Sequence, residues 1–313
     1  VRILSFGLAG LLALGGAAPA LSQSLRPDGP PVRLYSDATP ATHPVWSPDG
    51  ARVAFTRDQY VGLWVVGADG GAARQLADAP GAGFGFSWAP DGQALVARTA
   101  RVDGLYRRHT VSMVGLDGAV TDLVQERSQM TGLPHWAGPH HVALLADGAA
   151  EVIPVDAEAR TTVPEEVVLA SPRGGLVVTD PATGGLRALP QFRDAMLLNL
   201  TPSPDGARVA FEVYGGNLFT MRLDGSGLVD LGPGARPTWS PDGRWVAFMV
   251  TADDGHDITS SDLVAVRADG SERVALTQSP DRLEMNPSWS PDGRALAFDD
   301  AVDGALYLLS VSE

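Results

Sequence analysis

The chain has 313 residues, 44% of them hydrophobic, and is rich in Gly (36) and Pro (24) without a strict period, which describes a turn-rich globular protein and excludes a collagen-like one. It contains no Cys, which excludes disulfides, thiolate metal sites, a Cys nucleophile and a Cys-linked lipid anchor. The formal net charge is −14 and every cation is Arg, so the chain repels nucleic-acid backbones and its charge favours solubility.

Residues 1–22 read as a secretory signal. Arg2 precedes an apolar run over residues 3–14, and small residues follow, with cleavage expected after Ala20 or Ser22. The run is short for a membrane span, so a retained N-terminal anchor is the weaker reading. The mature protein is therefore expected in the periplasm or secreted, as a monomer with no membrane span. A Pro/Gly-rich linker over 23–31 leads into a domain spanning 32–313.

That domain opens on "THPVWSPDGARVAF" at 42–55, which returns as "RPTWSPDGRWVAF" and "NPSWSPDGRALAF". In Ser47-Pro48-Asp49-Gly50, Pro presets φ near −65°, Asp suits the next position and Gly takes the left-handed one. The β-branched and aromatic flanks predict two strands, a and b, joined by this tight turn. A second hairpin with its turn at Ala68-Asp69-Gly70 supplies strands c and d, so one repeat is four antiparallel strands.

Copies start at Trp46, Trp88, Trp136, Pro202, Trp239 and Trp289, at steps of 42, 48, 66, 37 and 50 residues. Repeats of this length and content predict a β-propeller. Six copies predict six blades. The third step holds about 20 extra residues, too few for two full blades, and a degenerate seventh blade within 137–200 is the alternative. The last repeat stops after strand c, whereas residues 32–35 match strand d of the other repeats. The N-terminal strand should therefore complete the last blade and close the ring. The Trp residues are expected in the core between blades.

The pattern "PxWSPDGxxhAF", with h apolar, followed by a second hairpin ending in Asp-Gly, resembles the TolB-type propeller, also called the PD40 or WD40-like repeat. The resemblance covers residues 32–313. It implies an all-β propeller with strand a innermost. It further implies a setting like that of periplasmic translocation proteins or of the propeller domains of prolyl-oligopeptidase-type peptidases. No α/β domain is seen before the ring and no hydrolase domain after it, so an isolated propeller is expected.

The chain has no G-x-S-x-G elbow, H-E-x-x-H or P-loop. His135, His140 and His141 could in principle ligate zinc, but in turn spacing rather than on one helix face. Asp253, Asp254 and Asp257 are oxygen donors of the kind that hold Ca²⁺, without EF-hand spacing; a solvated acidic loop is the simpler reading. No cofactor is expected apart from this weak Ca²⁺ candidate. Arg101, Arg107 and Arg108 form a local cationic cluster.

With strand a innermost, the residue three before each Trp should ring the channel mouth: His43, Gly85, Leu133, Asn199, Arg236 and Asn286. Loops on a rigid scaffold carry binding, so His43, Asn199, Arg236 and Asn286 are the channel-mouth candidates, with Tyr60, Arg101, Arg107, Arg108 and Tyr214 on the loop face. Arg236 would hold a carboxylate, unless it pairs with Asp281 or Glu284 instead. The expected function is a binding module that holds a protein, peptide or glycan. The alternative is a lyase or hydrolase acting on a polysaccharide or small ester, with catalytic groups scattered over several blades.

Overall fold

The repeated turn works as its sequence suggests. Ser47 Oγ donates to the Asp49 carboxylate and accepts from the Arg52 N–H, while Asp49 also accepts from the Ala51 N–H. Ser203-Asp205 repeats this set in full, and Ser240-Asp242 and Ser290-Asp292 repeat the same hydroxyl–carboxylate pairing. The hydroxyl hydrogen bond holds the Asp49, Asp205 and Asp292 carboxyls below the ordinary carboxylate range. Gly50, Gly206, Gly243 and Gly293 close these turns at φ of 67–72°, where a β-branched residue is strained.

The structure is a computed structural model that describes residues 24–127, 132–146, 149–162, 165–170, 174–180, 185–189 and 191–313. The signal expected over 1–22 lies outside them. Seven antiparallel sheets follow one another along the chain, each with its first strand at one edge. Blade 1 spans 41–77, blade 2 spans 86–122, blade 3 spans 135–154 and blade 4 spans 168–188. Blade 5 spans 197–233, blade 6 spans 235–275, and blade 7 covers 284–312. Among the described residues no helix is long and apolar enough to cross a membrane.

The ring thus has seven blades, not the six expected from counting the repeats. The long third step holds two sheets, His135–Trp136 with His141–Ala146 and Ala149–Pro154, then Val168–Ala170 with Leu176–Asp180 and Gly185–Ala188. The room comes from economy. Each of these blades shows three strands rather than four among the described residues, so the expectation of four-stranded blades also fails here. Blade 4 has neither the Trp nor the Asp-Gly of the repeat. Its trace in the sequence is Ser171-Pro172-Arg173-Gly174, a worn Ser-Pro-Asp-Gly.

The core agrees with seven. Among the described residues there are seven clusters of buried apolar side chains, and each joins two neighbouring blades. Ala54, Leu63 and Val65 of blade 1 meet Trp88, Leu95 and Ala97 of blade 2. Val168 and Leu176 of blade 4 meet Leu197 and Phe211 of blade 5. Leu34 and Leu306 of blade 7 meet Val53 and Phe55 of blade 1. Trp88, Trp239 and Trp289 are buried in these seams. Two of their indoles reach back one blade: Trp88 Nε1 donates to the Val45 carbonyl at 3.0 Å and Trp239 Nε1 to the Thr201 carbonyl at 2.9 Å.

The N-terminal strand closes the ring. Val32–Tyr35 pairs antiparallel with Leu306–Ser312, the third strand of blade 7. Part of the segment read as a linker joins in as well. Arg26 and Pro27 pair with Ser312 and Val311, and Leu25 is buried in the core between blades 6 and 7. Leu25→Ala should therefore cost about 2 kcal/mol of stability, a core value rather than a linker value. Gly50→Val and Gly293→Val should each cost about 1–3 kcal/mol through strain at positive φ. Thermal melts of the three variants check both.

Candidate functional site

Four inner strands share a local irregularity. Their pairing with the second strand slips between Thr42 and Val45, Leu198 and Thr201, Ala235 and Thr238, and Met285 and Ser288. His43, Asn199, Arg236 and Asn286 sit in these bulges at φ of 57°, 51°, 58° and 50°. A bulge re-aims its residue out of the pleat, and a left-handed backbone at a residue other than Gly costs energy. Pro44, Pro237 and Pro287 follow three of the four. Having no N–H, a Pro leaves no orphan donor where the ladder is broken.

These four residues line a central cavity of about 820 Å³ that the inner strands of all seven blades enclose. The sequence reading placed them on one ring, and the structure brings them together on four consecutive blades: 5, 6, 7 and 1. The other three blades place Gly85, Leu133 and Val167 in the cavity wall. Leu133 packs against the backbone of Gly85, where a Cβ would lie 2.6 Å from both its methyl groups. The mouth thus has a polar arc of four blades and an apolar arc of three. Val167 was missed with the blade that carries it; stepping back from the Ser-Pro-x-Gly at Ser171 in the sequence by the spacing of the other repeats leads to it.

Asp299 is the other residue that sequence reasoning did not mark as a site group. It lies within the strand Ala295–Asp300 and is 4% exposed. Asn286 Nδ2 donates to it at 3.0 Å, and so does the His43 backbone N–H. Burial pushes its carboxyl up to about 7, against the pull of these donors. The His43 imidazole goes the other way, down to about 3, through burial and then the nearby Arg236 charge. It is therefore neutral at physiological pH. Its Nδ1 lies 2.6 Å from Thr42 Oγ1, and its buried Nε2 has no partner among the described residues.

Arg236 is half-buried at the mouth. Among the described residues no ion pair with Asp281 or Glu284 forms, and its guanidinium has no hydrogen-bond partner. Asn199 instead is held by Glu212, with Nδ2 2.7 Å from Oε2. Tyr60 belongs to the same region: its ring meets His43 edge-on at 5.3 Å and Phe84 at 5.2 Å, with Arg98 over Phe84 at 5.4 Å.

The remaining sequence candidates, apart from His135, lie away from the cavity lining. Arg101 and Arg108 face each other across a hairpin of blade 2, Arg107 is exposed beside them, and Arg101 is held by both oxygens of Glu126 at 2.9 Å. Tyr214 is exposed in a turn of blade 5. Asp253 and Asp254 cap the backbone N–H groups of Gly255, His256 and Asp257 rather than converging on a cation. His140 pairs with Asp156, His141 is buried in its strand, and His135 faces the cavity, with its imidazole lowered to about 4 by burial. Among the described residues no three His, Asp or Glu side chains are placed to share a metal.

The shifts at Asp299 and His43 make stability depend on pH in opposite senses. Asp299 binds its proton more tightly when folded, so its contribution falls as pH rises from about 4 to about 7. His43 binds its proton less tightly when folded, so its contribution rises from about pH 3 to about 6.5. Asp299→Asn removes the first effect only. The melting temperature of the variant minus that of the parent should thus rise between pH 5 and pH 8, and a constant difference would contradict a raised Asp299.

No family model matches the chain. A stretch of 70 residues, 20% of the chain, is 36% identical to the uncharacterized peptidase YuxL of Bacillus subtilis, but it spans only 10% of that protein's length. Among solved structures, a protein assigned as TolB from Agrobacterium tumefaciens superposes with a TM-score of 0.56 at 17% identity, covering 88% of this chain and 92% of that one. An oligogalacturonate lyase from Vibrio parahaemolyticus gives 0.53 at 13% identity, covering 89% and 92%. At such identities the likeness is one of fold, and the fold is a β-propeller, here with seven blades.

Proposed function

We propose that the protein is an exported binding propeller whose channel mouth holds an anionic group of a protein, peptide or glycan. The observation that carries this reading is Arg236. Acidic residues outnumber basic ones 37 to 23 in this chain, yet among the described residues none pairs with this half-buried guanidinium. Its backbone is held at a strained φ of 58°, which is a cost accepted to aim a side chain. Guanidinium is the side chain best shaped to grip a carboxylate through two parallel hydrogen bonds. Asn286, Asn199 and neutral His43 add polar groups on either side without adding charge. Export rests on the signal-like residues 1–22, and the fold neighbours include a TolB protein.

Capture of partners from a native extract, compared between the parent protein and Arg236→Ala, tests the reading. The variant should lose the ligand while its melting temperature falls by no more than a few degrees. Unchanged capture by Arg236→Ala would remove the mouth from consideration. Recovery of the ligand chemically unaltered fits a binding module, whereas a cleaved product would favour the lyase or hydrolase alternative.

A further inference from the structure

We infer that the ligand is a polypeptide C-terminus ending in an apolar residue, its carboxylate held by Arg236 and its last side chain lying on the arc of blades 2–4. This rests on the anion-holding mouth proposed above and narrows it to one chemical class. Three observations point to it.

The first is the split of the ring. The residue three before each inner-strand turn is polar on blades 5, 6, 7 and 1 and apolar on blades 2, 3 and 4. At this rim position the two sets are contiguous: one side of the mouth carries hydrogen-bonding side chains, and the other carries Leu133 and Val167, with His135, Glu165 and Glu166 further along the same wall. Phe84, 46% exposed, extends the apolar arc beside Leu133 and Val167. A ligand that uses both sides of the mouth must carry an anion and an apolar group. The terminal residue of a chain ending in Leu, Val or Phe has both on one Cα.

The second is the number of charges that the mouth accepts. Among the described residues that line the cavity, Arg236 is the only Arg, and it has no ion-pair partner among them. Glu212 stands behind Asn199, and Glu165 and Glu166 are exposed in the wall of blade 4. A second anionic group on the ligand would meet these carboxylates, and like charges in a partly desolvated site repel. The arrangement takes one negative charge and resists a run of them, which disfavours a polyuronide.

The third is size. A cavity of about 820 Å³ admits the last residues of an extended chain but not a folded element. The seven inner strands leave it open at the mouth, where the rest of the partner would remain outside.

The test uses the peptide Gly-Ser-Ala-Leu as free acid and as C-terminal amide, the same peptide ending in Asp, and trigalacturonate, with affinity read by calorimetry. The free acid should bind, and the amide and the Asp-terminated peptide should each bind at least about tenfold more weakly, the usual loss when a charged hydrogen-bond partner goes missing. Arg236→Ala should lose the free acid and Arg236→Lys should keep part of it. Phe84→Ser, at a position 46% exposed, should weaken the free acid ending in Leu more than the same peptide ending in Ala, with a thermal melt confirming that the variant is folded. Equal binding of acid and amide would overturn the inference. Tighter binding of trigalacturonate that depends on Arg236 would overturn it while leaving the anion-holding mouth in place. If no probe shows binding that depends on Arg236, both fall.

Discussion

Every blade of this protein is a sheet whose two faces are both covered by other sheets. This mutual burial is the constraint on which the rest depends. A small antiparallel sheet with two apolar faces cannot stand alone in water, and stacking it in a row leaves the end sheets bare. Closing the row into a ring removes both ends. Seven apolar seams answer to seven blades, and the seam between blade 7 and blade 1 includes Leu34 from the N-terminal strand. The chain ends are thereby stitched into one sheet, so opening the ring means exposing a seam as well as breaking a strand pairing.

The ring also explains why two short blades suffice between Trp136 and Pro202. What a blade must supply is inner strands with apolar faces, and the outer fourth strand is the most dispensable. Val142 and Leu144 of blade 3 face blade 2, while Ala143 and Leu145 face blade 4, the alternation expected of a strand buried on both sides. The seams are thus maintained on both sides of the three-stranded blades.

A rigid ring can tolerate local strain at its centre. His43, Asn199, Arg236 and Asn286 take left-handed backbone on inner strands whose residues on either side of the bulge are paired. The surrounding ladder over-determines these bulges, so the strain persists. Behind them, Asp299 ties the backbone of His43 in blade 1 to the side chain of Asn286 in blade 7. The polar arc is therefore braced across the closing seam, and the pH-sensitive carboxyl sits where the ring is sewn shut.

The repeated Trp-Ser-Pro-Asp-Gly, with its period near 40 residues, was enough to determine the propeller, the turn chemistry and the closing strand, because hairpin turns and alternating strands are local properties of the chain. Counting Trp from residue to residue likewise located His43, Asn199, Arg236 and Asn286 on one rim. The number of blades was not local. Blade 4 lacks the marker residues, and its own sheet together with its packing against blades 3 and 5 shows it to be a blade. The division of the mouth into a polar and an apolar arc needed the ring closed and Val167 placed in it. The isolation of Arg236 from every described carboxylate was decided by tertiary structure alone. So was the burial of Asp299, because ion pairing and desolvation depend on which strands end up side by side, and residues 43 and 299 are neighbours only once the ring has closed.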